Sequence, residues 1–452
     1  MKTEEKLNMT MLCDFYELTM GNGYFESGYK DHITYFDVFF RRVPDGGGFA
    51  IAAGLEQLID YIENLHFSPE DIAYLRGRNL FSEEFLSYLE DFHFTGDIYA
   101  MPEGTPVFPR EPMVIVRAKA IEAQLIETFT LLTINHQSLI ATKANRIARA
   151  ARGRTVLEFG SRRAQGADAA IIGARAAYIG GVAGTACTIS DQIYGVPAGG
   201  TMAHAWVQMF DSEYDAFKTY CQIYPHNATL LVDTYNTLKS GVPNAIRAFN
   251  EVLKPMGITK CGIRLDSGDM AYLTRKARKM LDEAGWTECQ ISVSNSLDEY
   301  LIQDLLLQDA KIDLFGVGER MITAKSEPVF GGCISWRLWR INRGTSPPRS
   351  RSARTWRRSP FPTSRRSTGS TATTPARPSP TTSPSMTRRW TTPRIWRSST
   401  PAPPGRKRRC ITSPPGLCWC RCFWGASGCT TAPACRKFRP TAASRWTPCG
   451  TR

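Results

Sequence analysis

Between residues 228 and 318, short apolar runs alternate with runs of helical period, and this alternation constrains the fold more than any other feature. "ATLLVDTY" reads as a buried strand and "VPNAIRAFNEVLKPMG" as a helix stopped at Gly257. "KCGIRLDSGD" is the next strand, and "MAYLTRKARKMLDEAGW" a helix ended by Gly285. "CQISVSNS" and "LDEYLIQDLLLQDA" repeat the unit, and "IDLFGVGER" opens another. Strands separated by single helices must pair in parallel, because a crossover returns the chain to the same end of the sheet. The pattern predicts a β/α barrel or a doubly wound sheet. Upstream, "TVLEFGSRR" and "AIIGARAAYIGG" add a strand and a helix of the same kind.

Each of these strands ends in reactive or small residues: Glu158 to Arg163, Asp233 and Thr234, Asp266 to Asp269, Ser294 and Asn295, Gly316 to Gly318. In barrels and open α/β sheets the carboxyl ends of the strands form the active-site face. An Asp or Ser after a strand also caps the following helix. Capping explains one such position as well as chemistry does, but it explains five together poorly.

Residues 1–118 follow another pattern. "ITYFDVFFRRVP" and "TGDIYAMPEGTPVFPREPMVIVRA" read as strands with Pro/Gly turns, and "AGLEQLIDYIENL" and "SEEFLSYLEDF" as helices between them. These predict a smaller α/β domain with an N-terminal helical arm. The helical stretch "IEAQLIETFTLLTINHQSLIATKANRIARAA" joins it to a barrel domain over 119–332.

The full chain of 452 residues carries a net charge of +14, which on its face suggests a nucleic-acid or membrane-surface partner. Locating the charge removes the suggestion. Residues 333–452 hold 25 of the 56 basic residues and none of the 42 acidic ones, so 1–332 has 31 basic residues and a net charge of −11. The same stretch holds 8 of the 13 Cys and 8 of the 10 Trp. About a quarter of an average chain is charged with both signs mixed, so 120 residues without one carboxylate are foreign to the rest.

A shifted reading frame accounts for this composition. "CISWRLWR", from Cys333 to Arg340, back-translates into codons that read Val-Tyr-Lys-Leu-Ala-Ala-Val-Glu once a single G is placed in front. "PTSRRSTGS", from Pro362 to Ser370, has a codon choice that in the same phase reads Asp-Phe-Lys-Lys-Val-Tyr-Arg-Leu. The expectation is that one nucleotide is missing near Gly332 and that 333–452 is an out-of-frame, disordered tail. Its Cys418, Cys420 and Cys422 lack the paired spacing of a zinc site, and no metal site is expected.

Residues 1–332 contain five irregularly spaced cysteines (Cys13, Cys187, Cys221, Cys261, Cys289), the usage of a reducing cytoplasm. No secretory signal is expected in "MKTEEKLNMTMLCDFYELTM", which charges interrupt, and no run reaches transmembrane length.

Seven stretches in order, "DFYELTMGNGY", "FFRRVPDGGGFAIAAGLE", "LEFGSRRAQG", "GTMAHAWV", "LLVDTYNTLKSG", "IRLDSGDM" and "FGVGERM", resemble the nicotinate phosphoribosyltransferases from about residue 10 to Gly332. The resemblance implies an irregular β/α barrel of the quinolinate-phosphoribosyltransferase type with a small α/β sandwich domain. It implies transfer of phosphoribosyl from phosphoribosyl pyrophosphate to nicotinate, coupled to ATP hydrolysis, with Mg²⁺ arriving on the substrate. It also implies a homodimer, with Tyr16 crossing the interface. Neither nucleic acid nor membrane is expected as a partner.

That reaction suits the residues. An unprotonated pyridine nitrogen is already a nucleophile, so the protein must support an oxocarbenium-like ribosyl centre and a departing pyrophosphate. Asp266 is placed to accept from ribose hydroxyls, with capping of the next helix as its plainer role. Arg162 and Arg264 are candidates to clamp the nicotinate carboxylate with paired N–H donors. Phe159 and Tyr16 would offer stacking faces to the ring; either is otherwise a packing residue. Ser294, Asn295, Gly316 and Gly318 are candidates for the 5′-phosphate, although relatives carry Gly-Asp where Asn295 and Ser296 stand. Arg41 and Arg42 are candidates for pyrophosphate.

Of the six histidines, His204 is the catalytic candidate. A lone histidine beside an apolar run is more often a packing residue. The motif around His204 reverses that, since the matching family histidine is phosphorylated by ATP. Gly199, Gly200, Thr201 and Ala203 leave room for a phosphate, and Asp233 is expected to orient the ring through its second nitrogen. His136, within a helix, is read as structural. "GVAGTACTISD" has no carboxylate after Gly184 and Thr185, where nicotinamide-using relatives place an amide-accepting Asp, which favours nicotinate. The alternatives are a nicotinamide or quinolinate phosphoribosyltransferase, an inactive frameshifted relative, or a nucleic-acid binder using the basic tail as an arm.

Overall fold

The computed structural model describes residues 8–339, 411–412 and 418–423. Residues 33–119 supply five strands: β1 (Ile33–Phe40), β2 (Ala50–Ile51), β3 (Asp97–Ala100), β4 (Pro106–Val107) and β5 (Val114–Lys119). Six more follow: β6 (Thr155–Glu158), β7 (Gly184–Thr185), β8 (Thr229–Leu231), β9 (Gly262–Leu265), β10 (Gln290–Ser294) and β11 (Leu314–Val317). The second set forms one all-parallel sheet in the order β7-β6-β11-β10-β9-β8.

Its strands are apolar because both faces are covered: Leu230, Leu231, Ile263, Leu265, Ile291, Val293, Phe315 and Val317 are all fully buried. Each such side chain contributes roughly 1.5–3 kcal/mol. The intervening helices begin at side-chain caps, Asp269 accepting from Tyr272 N at 3.0 Å and Asp298 from Leu301 N at 2.9 Å. Gly257 and Gly285 end their helices at positive φ, as the sequence predicts.

The irregular stretch 195–204 spans the gap between the outer strands. Ala198 bridges Thr185 of β7, Thr201 meets Arg264 of β9, and His204 reaches Thr234 just past β8. The sheet is thus an irregular barrel.

In the small domain, β1, β5 and β3 pair antiparallel. Phe36, Val38, Phe40, Ile98, Val114 and Val116 pack against Leu58, Phe85, Leu86 and Leu89 of the helices Leu55–Glu63 and Glu83–Glu90. The joining helical stretch breaks at Ile126 into Ala120–Leu125 and Glu127–Ala150. The apolar cluster of the small sheet continues through Ile140 and Ala144 of the longer helix to Val156 and Phe315 of the barrel. The helix Pro69–Gly77 is missing from the sequence reading, although its capping box, Ser68 with Asp71, is a start signal.

One expectation is corrected in part. The sequence reading leaves 333–452 unstructured. The structure instead places β12 (Gly332–Trp339) along β1 and β14 (Cys418–Phe423) along β3, with β13 (Ile411–Thr412) beside β14. Backbone hydrogen bonds along an open sheet edge ask only for an extended partner, and Ile, Trp, Thr and Cys tolerate that geometry whatever their origin. The rest of that stretch lies outside the described residues. Among the described residues, no helix is long and apolar enough to cross a membrane, and no group of three metal-ligating side chains gathers.

Candidate active site

The strand ends converge. His204 opens the short helix His204–Gln208 with its side chain 39% exposed. Its Nδ1 lies 3.1 Å from Thr234 Oγ1, and its Nε2 lies 4.0 Å from both Asp233 Oδ1 and Asp266 Oδ2. The orienting contact expected of Asp233 is made here by Thr234. The Asp233 side chain is only 2% exposed, and its Oδ2 accepts the Asp266 N–H at 2.9 Å and the Ser267 hydroxyl at 2.6 Å. Its Oδ1 is buried and has no hydrogen-bond partner, His204 Nε2 being its neighbour at 4.0 Å. A buried carboxylate oxygen without a donor is costly unless something arrives to use it.

Asp266 also accepts from the Ser294 hydroxyl, which ties β9 to β10 at the mouth of the barrel. Helix capping, its plainer role, falls to Asp269 instead. Arg264 points the same way: it donates to Thr201 Oγ1 at 2.5 Å, while its buried Nε has no partner. Burial pulls the Arg264 pKa below its ordinary value, the carboxylates of Asp266 and Asp233 oppose the shift, and Arg162 adds to it. Two guanidiniums near enough to repel, one with an idle N–H, make a seat for an anion.

Arg162 sits exposed on the turn Ser161–Arg163. The turn is anchored from below by Glu158, a fully buried residue whose role is not legible in the sequence. Its carboxylate accepts from Gly160 N and from the Thr185 hydroxyl at 2.7 Å. Burial raises its pKa against these two donors. Phe159, half-buried, lies beside Gly316, and its N–H donates to Val317 O at 2.8 Å. Asn295 and Ser296 follow β10 at φ 90° and 44°, left-handed conformations usually left to Gly. Gly-Asp would fit the first of these without strain.

Three candidates stand apart. The Tyr16 hydroxyl donates to Glu127 Oε1 at 3.0 Å, Arg42 pairs with Glu327, and Arg41 lies near Cys333. Among the described residues, no hydrogen bond or ion pair links these three to the His204 cluster. His136 is half-buried, its Nε2 has no hydrogen-bond partner, and burial lowers its pKa.

Residues 11–135 match the nicotinate phosphoribosyltransferase (NAPRTase) N-terminal domain. Over 320 residues the chain is 44% identical to nicotinate phosphoribosyltransferase pncB2 of Mycobacterium tuberculosis, covering 70% of this chain and 68% of that one. The chain belongs to the nicotinate phosphoribosyltransferase family. It is 48% identical over 326 residues to the nicotinate phosphoribosyltransferase of Bacillus subtilis, with 72% of this chain aligned. It spans 66% of that relative's length, just under two thirds. Among solved structures, the human nicotinic acid phosphoribosyltransferase superposes with a TM-score of 0.65 at 27% identity, over 74% of this chain and 75% of that one. The nicotinate-nucleotide pyrophosphorylase of Pyrococcus furiosus superposes at 0.60 and 25% identity, over 77% and 81%. The barrel type expected from the sequence is therefore the one observed.

Proposed function

We propose that this chain joins nicotinate to phosphoribosyl pyrophosphate, releasing nicotinate mononucleotide and pyrophosphate, in cytoplasmic NAD salvage. The observation that carries the reading is the arrangement of His204, Asp233 and Asp266, with an idle Asp233 oxygen and an idle Arg264 N–H beside them. Arg264 and Arg162 would hold the nicotinate carboxylate, and Phe159 would face its ring. Asp266, kept in place by Ser294 and Asp233, would accept from the ribose hydroxyls and favour positive charge at the anomeric carbon.

ATP coupling through His204 belongs to the same proposal. A neutral imidazole nitrogen needs only positioning to accept a phosphoryl group, and the contact to Thr234 supplies it at Nδ1. That leaves Nε2, on the carboxylate side, as the acceptor. A phosphate there would bring negative charge beside Asp233 and Asp266, so Mg²⁺ carried by the substrates would be needed to screen it. A homodimer is part of the proposal, supported by Phe15, Tyr16 and Met20, which stand exposed together on the helix Phe15–Glu26.

The test is formation of nicotinate mononucleotide by the purified chain, with and without ATP and Mg²⁺, against nicotinamide and quinolinate as rival acceptors. Quinolinate is the rival acceptor that the test must exclude. Transfer to quinolinate but not nicotinate would sink the reading.

A further inference from the structure

Gly316 occupies the middle of the barrel mouth, paired with Leu157 of β6 on one side and Ser294 of β10 on the other. It is fully enclosed, and its φ is not positive, so the backbone conformation does not call for glycine. Space does. A Cβ at Gly316 would stand 2.6 Å from Phe159 Cε2, closer still to Cδ2, and 3.3 Å from Ser294 Cβ. Glycine inside a strand often marks a place where another group approaches closely, and here that group is an aromatic ring.

The Phe159 backbone has no freedom to yield. Its N–H is held by Val317 O, the next residue is held by Glu158, and a Cβ at Gly160 would stand 2.6 Å from Ile322 Cγ2 and 2.7 Å from Gly318 O. Any side chain at 316 must therefore turn the Phe159 ring, which is half-buried and has solvent to turn into.

We infer that Gly316 is a positioning residue: the missing side chain sets the Phe159 ring at the barrel mouth, and through it the affinity for the planar acceptor. This rests on the reading above that Phe159 faces the pyridine ring. It gives Gly316 a role different from a phosphate contact. A residue serving the 5′-phosphate would affect phosphoribosyl pyrophosphate, whereas a seat for Phe159 affects the acceptor.

The experiment is a double-mutant cycle of Gly316→Ala and Phe159→Ala, read by melting and by steady-state kinetics. In the Phe159 background, Gly316→Ala should lower the melting temperature and raise the KM for nicotinate roughly 3- to 10-fold, the range of a lost aromatic stack. The KM for phosphoribosyl pyrophosphate should stay within about 2-fold. With Phe159→Ala present, Gly316→Ala should add little to either loss. Equal melting losses in both backgrounds, or a rise in the phosphoribosyl pyrophosphate KM alone, would overturn the assignment. The melting cycle reads the seat whether or not nicotinate is the acceptor, so a failure of the functional reading shows separately, as a wild-type chain that does not use nicotinate.

Discussion

Asp233 and Asp266 are joined by a single backbone hydrogen bond, the Asp266 N–H donating to Asp233 Oδ2 at 2.9 Å. The buried carboxylate of one strand end therefore fixes where the more exposed carboxylate of the next one stands. Asp233→Asn can present an NH₂ group to the Asp266 N–H and the Ser267 hydroxyl, or turn its oxygen to them and bury the NH₂ at the Oδ1 site. Stability should fall by about 1–3 kcal/mol. Turnover should fall on the order of 100-fold, because Asp266 loses its placement. Asp266→Asn should cost turnover at least as much but stability less, since that side chain is 35% exposed. Urea melts beside kcat values check the split, and the reverse order would show that Asp233 does not act through Asp266.

His204→Ala should abolish phosphate incorporation from ATP and leave transfer without ATP within about 10-fold of the parent. Thr234→Val should slow incorporation less, since it removes an orienting contact and keeps the acceptor nitrogen. Acid-labile labelling with γ-labelled ATP measures both. Label persisting in His204→Ala would place the phosphate elsewhere.

Glu17 predicts a pH effect far from the site. It is fully buried between the helices Phe15–Glu26 and Glu127–Ala150, accepting from Thr128 N at 3.1 Å and from the Thr128 hydroxyl at 2.5 Å. Burial raises its pKa from 4.5 to about 7, against the Thr128 donors. A raised folded pKa means that the folded state keeps a proton the unfolded chain has lost. Stability should therefore fall as pH rises from about 4.5 to about 7, by on the order of 3 kcal/mol. Glu17→Gln should flatten this slope. Melting temperatures at pH 5 and pH 8 decide it, and parallel curves for the two proteins would refute the assignment.

Sequencing the DNA across the codons for Gly331 to Trp339 should reveal an extra nucleotide that restores "GGVYKLAAVE". A chain expressed from the restored frame should melt higher than the printed one, because β12 would pair with β1 using a segment suited to that edge. In the printed frame the register between these strands slips at Tyr35 and Phe36. A confirmed printed frame would refute the proposal and leave a basic, acid-free segment as the native partner of β1.

The barrel was legible because it repeats. Alternating strands and helices with glycine stops announce the parallel sheet, and Asp233, Asp266, Ser294 and Gly316 could be named from their places at strand ends. Those positions follow from chain direction alone. What could not be read were partners supplied across the barrel, such as Thr234 at His204 Nδ1 or Thr185 beneath Glu158, 27 residues on. Sequence separation hides such pairs, and nothing in the local pattern marks them. Arg42 looked free to meet an anion, yet folding brings Glu327 to it. The strands β12 and β14 were missed because composition predicts side-chain packing better than it predicts edge pairing.

The apolar cluster that runs from Phe36 through Ile140 to Phe315 crosses from the small sheet to the barrel, and largely buried polar links cross with it, Arg175 donating to Glu103 at 3.0 Å and Lys143 to both Asp45 and Glu299. The β8 and β9 side of the barrel has a second cluster of its own around Leu230, Ile263 and Phe249, but two architectures that share the first cannot come apart independently. The chain should lose its structure in one cooperative transition, and a truncation that keeps the barrel alone should give an aggregating fragment with half an interior facing water.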